Sequence, residues 1–143
     1  MINFYFFIGT KAQAIKSISL MKLISSDKNC NLNLVDSGQH FLITEKIFES
    51  LNNYNLFKLH NNLSNVSTYR SGILWVLKFI FNNLILKNKY INNDNKNLCV
   101  IHGDTVSTLL GLLWGKRNSL EVVHLESGLT SKSILNPFPE EII

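Results

Sequence analysis

Two apolar runs in the second half of the chain each stop at a carboxylate, and this feature most restricts the fold. Residues 98–101 are followed by Gly103 and Asp104, and residues 120–123 are followed by His124, Leu125 and Glu126. A helix-like segment joins the two runs. In an open parallel sheet, side chains just beyond the carboxyl ends of neighbouring strands converge on one crevice, where ligands bind. The pattern therefore predicts that Asp104 and Glu126 meet at one edge of a sheet.

A third acid follows the sequence N-P-F-P. Pro137 and Pro139 precede Glu140, and a proline with a glutamate behind it is a helix start signal. Asp104 alone could equally be a helix cap, whereas Glu126 follows a run predicted to be a fully buried strand and is not an obvious cap. Clustered carboxylates shift one another's pKa values apart and so supply both an acid and a base. Three acids on one edge favour a catalytic site.

The chain begins with a similar strand-to-helix turn. Residues 2–8 are β-branched and aromatic and end at Gly9, and apolar residues recur at helical spacing beyond Thr10. The N–H groups and helix dipole at such a turn can hold an anion. A single glycine is also what any tight turn of this kind requires, and no glycine-rich or Walker pattern follows.

The remaining elements continue the alternation of strand and helix. The patterns predict a strand over residues 31–35 with a turn at 36–40, a helix over 42–51, a short strand over 56–59 and a helix over 67–87. His40 is either a ligand-facing group or a surface loop histidine. About five strands joined by long crossovers predict a mostly parallel sheet, in one α/β domain over residues 1–143. Trp75, Phe79 and Phe81 have helical spacing, which favours core packing over a stacking platform.

Composition excludes several classes of function. The formal charge is +4, but the lysines are scattered and arginine occurs only at Arg70 and Arg117, unlike the clustered basic residues of a nucleic-acid-binding surface. Cys30 and Cys99 show no metal-binding spacing and are expected to be small core side chains in a reducing compartment. The N-terminus lacks a signal peptide pattern, and no apolar run reaches the roughly 20 residues of a membrane span. We therefore expect a cytoplasmic protein with no metal, nucleic-acid or membrane partner.

Five motifs in this order resemble the non-hydrolysing UDP-N-acetylglucosamine 2-epimerase family. The family's G-T-R-P-E-A-I-K is similar to residues 9–16, its T-G-Q-H to 37–40, its G-D-T-x-x-T to 103–108, its H-V-E-A-G-L-R to 124–130 and its P-[WF]-P-E-E to 137–141. No single motif would be sufficient. Five at family-like spacing make the resemblance specific, and it extends through nearly the whole chain.

The resemblance implies a fold and a reaction. The chain would be the N-terminal Rossmann-like domain, a three-layer sandwich, of a two-domain GT-B type enzyme that interconverts UDP-GlcNAc and UDP-ManNAc for surface polysaccharide synthesis, without a cofactor. Catalytic roles would pass to Asp104, Glu126 and Glu140. The substrate-binding residues implied by the matching motifs are Gly9, Thr10, Lys11, Lys16, Gln39, His40 and His124.

The sequence also departs from the family. Lys11 replaces an arginine and loses a bidentate fork for phosphate or carboxylate, Ala12 and Gln13 replace proline and glutamate, and Thr130 replaces an arginine. A second domain, which supplies most UDP-binding groups in the family, is not within the 143 residues, and a helix start signal at Pro139 is followed by only four residues.

Three hypotheses therefore stay open. The chain is the catalytic N-terminal half of an epimerase that needs a C-terminal domain or complementary chain, a hydrolysing relative that releases UDP and ManNAc, or a non-catalytic partner in a split sugar-nucleotide enzyme. A homodimer is a further alternative for its assembly.

Overall fold

Five strands alternate with helices along the part of the chain that the structure describes. The computed structural model describes residues 1–40, 46–59, 66–86, 91 and 95–127. The strands are β1 (Ile2–Ile8), β2 (Cys30–Asp36), β3 (Asn55–Lys58), β4 (Lys96–His102) and β5 (Glu121–Leu125). The helices are α1 (Lys11–Ser26), α2 (Tyr69–Phe79), which continues as a π-helix over Ile80–Leu86, and α3 (Val106–Arg117). A short 3-10 helix, Lys46–Ser50, precedes β3.

The strands form one sheet in the order β3-β2-β1-β4-β5, and every neighbouring pair is parallel. The chain therefore leaves β1 toward one side of the sheet and leaves β4 toward the other. A reversal of this kind opens a crevice beyond the carboxyl ends of the two central strands. The predicted α/β class and parallel sheet are confirmed, and the candidate residues at strand ends all belong to this edge.

Alternating side chains on β1 divide the core into two layers. Tyr5 and Phe7 pack with Trp75 and Phe79 of α2 and Trp114 of α3. Their neighbours on the strand point to the opposite face, where Phe6 and Ile8 pack against α1 residues such as Met21. A strand buried on both faces needs a continuous apolar run, which is the composition of residues 4–8. The result is the predicted three-layer sandwich.

Three expectations about burial need correction. Trp75 and Phe79 are buried as predicted, but Phe81 is 54% exposed, since two residues correspond to about 200° around a helix. The run 120–123 is not fully buried, because β5 is the outer strand of the described sheet and Val123 is exposed. Cys99 is buried but Cys30 only partly; burial raises the pKa of the Cys99 thiol to about 12.

The helix predicted over residues 42–51 is only partly testable. Residues 46–50 form the 3-10 helix, whereas 41–45 lie outside the described residues. Within the described part of the chain, no helix has the length and apolar character that a membrane crossing requires.

Helix α3 packs so closely on the sheet that Gly111 has no room for a side chain. An added Cβ would lie 2.8 Å from the Phe7 ring and 2.9 Å from Ile101 Cγ2. We expect Gly111→Ala to lower the free energy of unfolding by about 1–3 kcal/mol, the usual effect of overpacking. Gly72→Ala in α2 is the matched control, since its Cβ would meet only Val66 Cγ1 at 3.7 Å. That variant should be neutral or gain up to about 1 kcal/mol from helix propensity. Urea denaturation of both proteins measures the difference, and equal effects would contradict the packing described.

Candidate functional site

A single buried side chain, Gln13, joins the turns that follow the two central strands. Its Oε1 accepts hydrogen bonds from the N–H groups of Gly9 at 2.9 Å and Thr10 at 3.1 Å. Its Nε2 donates to the carbonyl of His102 at 2.9 Å and to the Thr108 hydroxyl at 3.0 Å. The carboxamide therefore fixes the β1–α1 turn against the β4–α3 turn at the point where the strand order reverses.

Gly9 allows these turns to approach one another. A Cβ at this position would lie 2.4 Å from Cβ of Ser107 and 2.8 Å from Oγ of Ser37, so no other residue fits without displacing its neighbours. Three turns, after β1, β2 and β4, meet here. Gly9 is a packing residue in this structure, and its predicted contact with a ligand stays a prediction.

At the anion site predicted at Gly9 and Thr10, the main-chain N–H groups already donate hydrogen bonds within the protein. Both N–H groups point at Gln13, and the Thr10 hydroxyl accepts the N–H of Gln13 at 3.3 Å, as the N-cap of α1. A bound anion would have to find other donors in the first turn of the helix. Lys11 is exposed at the start of that turn.

Asp104 does not cap helix α3, although its position in the sequence could have indicated that role. The N-cap of α3 is Thr105, whose hydroxyl accepts from the Thr108 N–H at 3.4 Å in a capping box. Asp104 lies one residue before the cap and is exposed, and no described residue forms a hydrogen bond or ion pair with its carboxylate. The charge is therefore presented at the helix N-terminus, which stabilises an anionic side chain.

Gly103 and His124 hold the turn that carries Asp104. Gly103 has φ +71°, a left-handed conformation that favours glycine. Its N–H donates to the Leu125 carbonyl at 3.0 Å, and its carbonyl lies 2.7 Å from Nε2 of His124. A carbonyl only accepts, so Nε2 carries the proton and donates. His124, predicted to bind substrate, thus fixes the distance between the β4 and β5 turns with one nitrogen and keeps Nδ1 for any ligand.

Glu126 follows β5 and contacts two other elements. Its Oε2 lies 2.7 Å from the Lys16 ammonium of α1, and its Oε1 lies 3.8 Å from Nε2 of His102 at the end of β4. The hydrogen bond from Lys16, aided by His102, holds the pKa of the Glu126 carboxyl below its ordinary value. Glu126 also has φ +57°, which is strained for a residue with a side chain. The structure thus brings the predicted residues Lys16 and Glu126 together as an ion pair.

His102 also lies at this site, although the sequence patterns did not predict it. Its side chain is only 9% exposed and lies next to Glu126. Burial lowers the pKa of the imidazole, and the negative charge of Glu126 partly offsets this effect by raising it. The available signal was its position as the last residue of an apolar run, directly before Gly103. A polar residue at the buried end of a parallel strand faces the crevice that the other candidates line.

Gln39 and His40 lie in the turn after β2, on the same edge. Asp36 shapes that turn by accepting the Gly38 N–H at 2.8 Å, and burial raises the pKa of the Asp36 carboxyl. Within the described residues, Oε1 of Gln39 is buried and accepts no hydrogen bond, so it could accept one from a ligand. Their binding roles stay predictions, and Glu140 lies outside the described residues.

The acids do not form a metal centre in the part of the chain described. Among residues 1–40, 46–59, 66–86, 91 and 95–127, no three histidine, cysteine or acidic side chains are grouped as ligands for an ion. The site instead presents two carboxylates, an ammonium group and imidazoles on one edge. Such groups can transfer protons and bind a negatively charged ligand.

Comparison with known proteins finds one family. The sequence profile described as UDP-N-acetylglucosamine 2-epimerase matches residues 22–143. A UDP-N-acetylglucosamine 2-epimerase of Campylobacter jejuni is 28% identical over 93% of this chain and 33% of its own length. The UDP-2,3-diacetamido-2,3-dideoxy-D-glucuronate 2-epimerase of Pseudomonas aeruginosa is 30% identical over 94% of this chain and 36% of its own.

A solved structure supports the fold independently. The UDP-GlcNAc 2-epimerase from Neisseria meningitidis, crystallised with UDP-GlcNAc, superposes with a TM-score of 0.67 at 19% identity, over 99% of this chain and 36% of that protein. The chain thus spans about a third of the length of the curated relatives that it matches.

Removing the Gln13 carboxamide should loosen the site. We expect Gln13→Leu to lower the free energy of unfolding by about 1–3 kcal/mol, because the buried N–H of Gly9 and the partly buried N–H of Thr10 lose their acceptor. Lys22→Ala, an exposed change on the same helix, is the control and should stay within about 0.5 kcal/mol. Denaturant unfolding followed by circular dichroism measures both. If the Gln13→Leu protein were as stable as the control, the hydrogen bonds of Gln13 would not contribute to the free energy of unfolding.

Protonation of His102 should oppose folding. Because burial lowers the pKa of the folded imidazole, the unfolded chain binds the proton more readily, and stability falls as pH drops below about 6.5. The loss levels off once the pH is below the folded pKa. Denaturation at pH 7.5 and 5.5 should show a smaller difference in His102→Gln than in the unsubstituted protein. An equal difference in both would contradict this assignment.

Proposed function

The chain belongs to the UDP-N-acetylglucosamine 2-epimerase family, and we propose that it forms one wall of the active site of an enzyme that interconverts UDP-GlcNAc and UDP-ManNAc. The observation that carries this proposal is the placement of Asp104 and Glu126 after neighbouring strands, beside the reversal of strand order. The opposite wall would come from a C-terminal domain, in a GT-B type arrangement, or from a complementary chain.

The proposed reaction removes and returns a proton at carbon 2 of the sugar. A carboxylate takes the proton as the bond between carbon 1 and the UDP oxygen breaks, which gives an unsaturated sugar and free UDP. A proton then returns to the opposite face of carbon 2 while UDP adds again to carbon 1. Inversion needs proton donors and acceptors on both faces of the ring, and Asp104, Glu126 and Glu140 are the proposed groups. Glu126 is ionised at neutral pH and so can accept a proton, and the hydrogen bond from Lys16 stabilises this ionised form.

The substrate class follows from the chemistry and from the relatives. Lys16 and Lys11 would meet the negative charge of the nucleotide diphosphate, and Gln39, His40 and His124 would offer polar contacts to the sugar or base. One relative is named for UDP-N-acetylglucosamine and another for a UDP-linked diacetamido uronic acid. We therefore propose a UDP-linked 2-acetamido sugar, with UDP-GlcNAc as the first to test, in the supply of precursors for a surface polysaccharide in the cytoplasm.

The isolated chain should show little or no turnover. Binding energy that orients the sugar would come largely from the other wall of the cleft, so UDP-GlcNAc should not be converted to UDP-ManNAc by the 143-residue chain. The assay is anion-exchange separation of the two sugar nucleotides after prolonged incubation. Supplying the remaining two thirds of the Campylobacter jejuni relative as a second chain should restore activity. Turnover by the isolated chain at an ordinary enzymatic rate would refute this expectation.

Asp104→Asn and Glu126→Gln should each reduce kcat of the two-part enzyme by about 10²- to 10⁴-fold, the usual contribution of a general acid or base. Glu121→Gln is the matched control. Glu121 lies at the amino end of β5, where it pairs with Lys96 at 3.6 Å, and its substitution should leave kcat unchanged. Full activity of Asp104→Asn would favour the alternative of a non-catalytic partner. Free N-acetylmannosamine among the products would favour the hydrolysing alternative.

A homodimer stays part of this proposal, and α2 together with its π-helical continuation offers a surface on which to test it. Ile73, Leu77, Phe81 and Ile85 recur every four residues and are each more than 40% exposed. An apolar stripe of this kind can pack against its own copy across a twofold axis. Sedimentation velocity should then show a dimer that Leu77→Glu dissociates. A monomer at all concentrations would exclude it.

A further inference from the structure

The buried imidazole of His102 faces the side chain of Glu126, the candidate acid. Its Nε2 lies 3.8 Å from Oε1 of Glu126, while the other carboxylate oxygen, Oε2, binds Lys16 at 2.7 Å. We propose that His102 is a positioning residue that acts with Lys16 to fix the orientation and the charge state of the Glu126 carboxylate. This inference rests on the proposed function, in which Glu126 exchanges a proton with the sugar.

The orientation is fixed because the two oxygens have partners on different elements. Lys16 belongs to α1 and His102 to β4, so the carboxylate of Glu126 lies between a helix and a strand. A distance of 3.8 Å is too long for a hydrogen bond, and His102 therefore acts through its charge distribution and its bulk. Rotation of the carboxylate would break the short contact with Lys16.

His102 is itself held in place. Its carbonyl accepts hydrogen bonds from Nε2 of Gln13 at 2.9 Å and from the Thr108 hydroxyl at 2.8 Å. Its register partner across the sheet is Leu125, the residue before Glu126. These bonds fix the backbone of His102, and the burial of its side chain, which is 9% exposed, restricts the rotation of the imidazole.

The charge states of the two side chains are linked. The charged or titratable groups that face His102 are Glu126, Lys16 from α1 and His124 from β5. Burial, Lys16 and His124 lower the pKa of the imidazole, and Glu126 alone raises it. When Glu126 takes a proton, His102 loses this favourable charge and stays neutral. A proton on one group therefore disfavours a proton on the other, as in a coupled pair.

The linkage gives Glu126 a pH response that an isolated glutamate would not have. Below the pKa of His102 the imidazolium charge strengthens the ionised form of Glu126. Above it, Lys16 alone opposes protonation, so the carboxylate accepts a proton from carbon 2 more readily. His102 thereby adjusts the basicity of the candidate acid without touching the substrate.

The test is a pair of reciprocal NMR titrations on the 143-residue chain. With ¹³C label at the glutamate carboxyl carbons, the pKa of Glu126 should rise in His102→Gln, since the imidazole no longer favours the anion. With the imidazole proton signals, the pKa of His102 should fall in Glu126→Gln, since its favourable charge is lost. The carboxyl signal of Glu49, which is exposed in the 3-10 helix, is the internal control.

Unchanged titrations in both variants would overturn the inference. If His102→Gln does not fold, the Glu126→Gln titration decides alone, because residue 126 is exposed and its substitution leaves the core intact. Neither measurement needs a substrate. An active two-part enzyme with unlinked titrations would reject the role of His102 only, and linked titrations in an inactive enzyme would reject the proposed function only.

Discussion

The carboxamide of Gln13 connects residues that lie 89 to 95 positions apart in the sequence. It can do so because one amide presents an acceptor to one turn and donors to the other. Since both turns begin helices whose N-termini open on the same crevice, the relative position of α1 and α3 depends on this side chain. Gly9 makes the contact feasible by leaving no side chain between the turns. The turns that form the candidate site are thus held together by a buried polar side chain.

The pairing of the strands places the two acids, Asp104 and Glu126, on the same edge of the sheet. Parallel strands β4 and β5 pair with His102 opposite Leu125, so the residues that follow them emerge side by side. Gly103 and His124 then link the two turns through their main chain and one imidazole nitrogen. The two acids differ in their surroundings. Asp104 precedes a helix that Thr105 already caps, and Glu126 binds Lys16 across the crevice.

Much of this arrangement could be predicted from the sequence. The strand ends at Gly9 and Gly103 were visible as apolar runs that stop at polar turns, because period and turn chemistry are local properties. The exposed face of this helical segment could not be predicted. Phe79 and Phe81 are the same residue type, and only their directions around the helix distinguish the buried one from the exposed one. His102 escaped notice for a related reason. Its importance comes from Glu126 and Lys16, which approach it only after the strand order is known. Gln13 could be recognised as a departure from the family motif, but its bonds to the β4–α3 turn depend on a contact across the whole sheet.

The backbone of Glu126 carries a further consequence. A residue with a side chain in the left-handed region gives up on the order of 1 kcal/mol relative to glycine, and asparagine also tolerates that conformation better. Selection for thermal stability alone would therefore tend to erase the glutamate. Glycine or asparagine at position 126 would relieve this strain, but it would also remove the carboxylate that binds Lys16. A stability screen of random variants would find its gains there at the expense of the carboxylate.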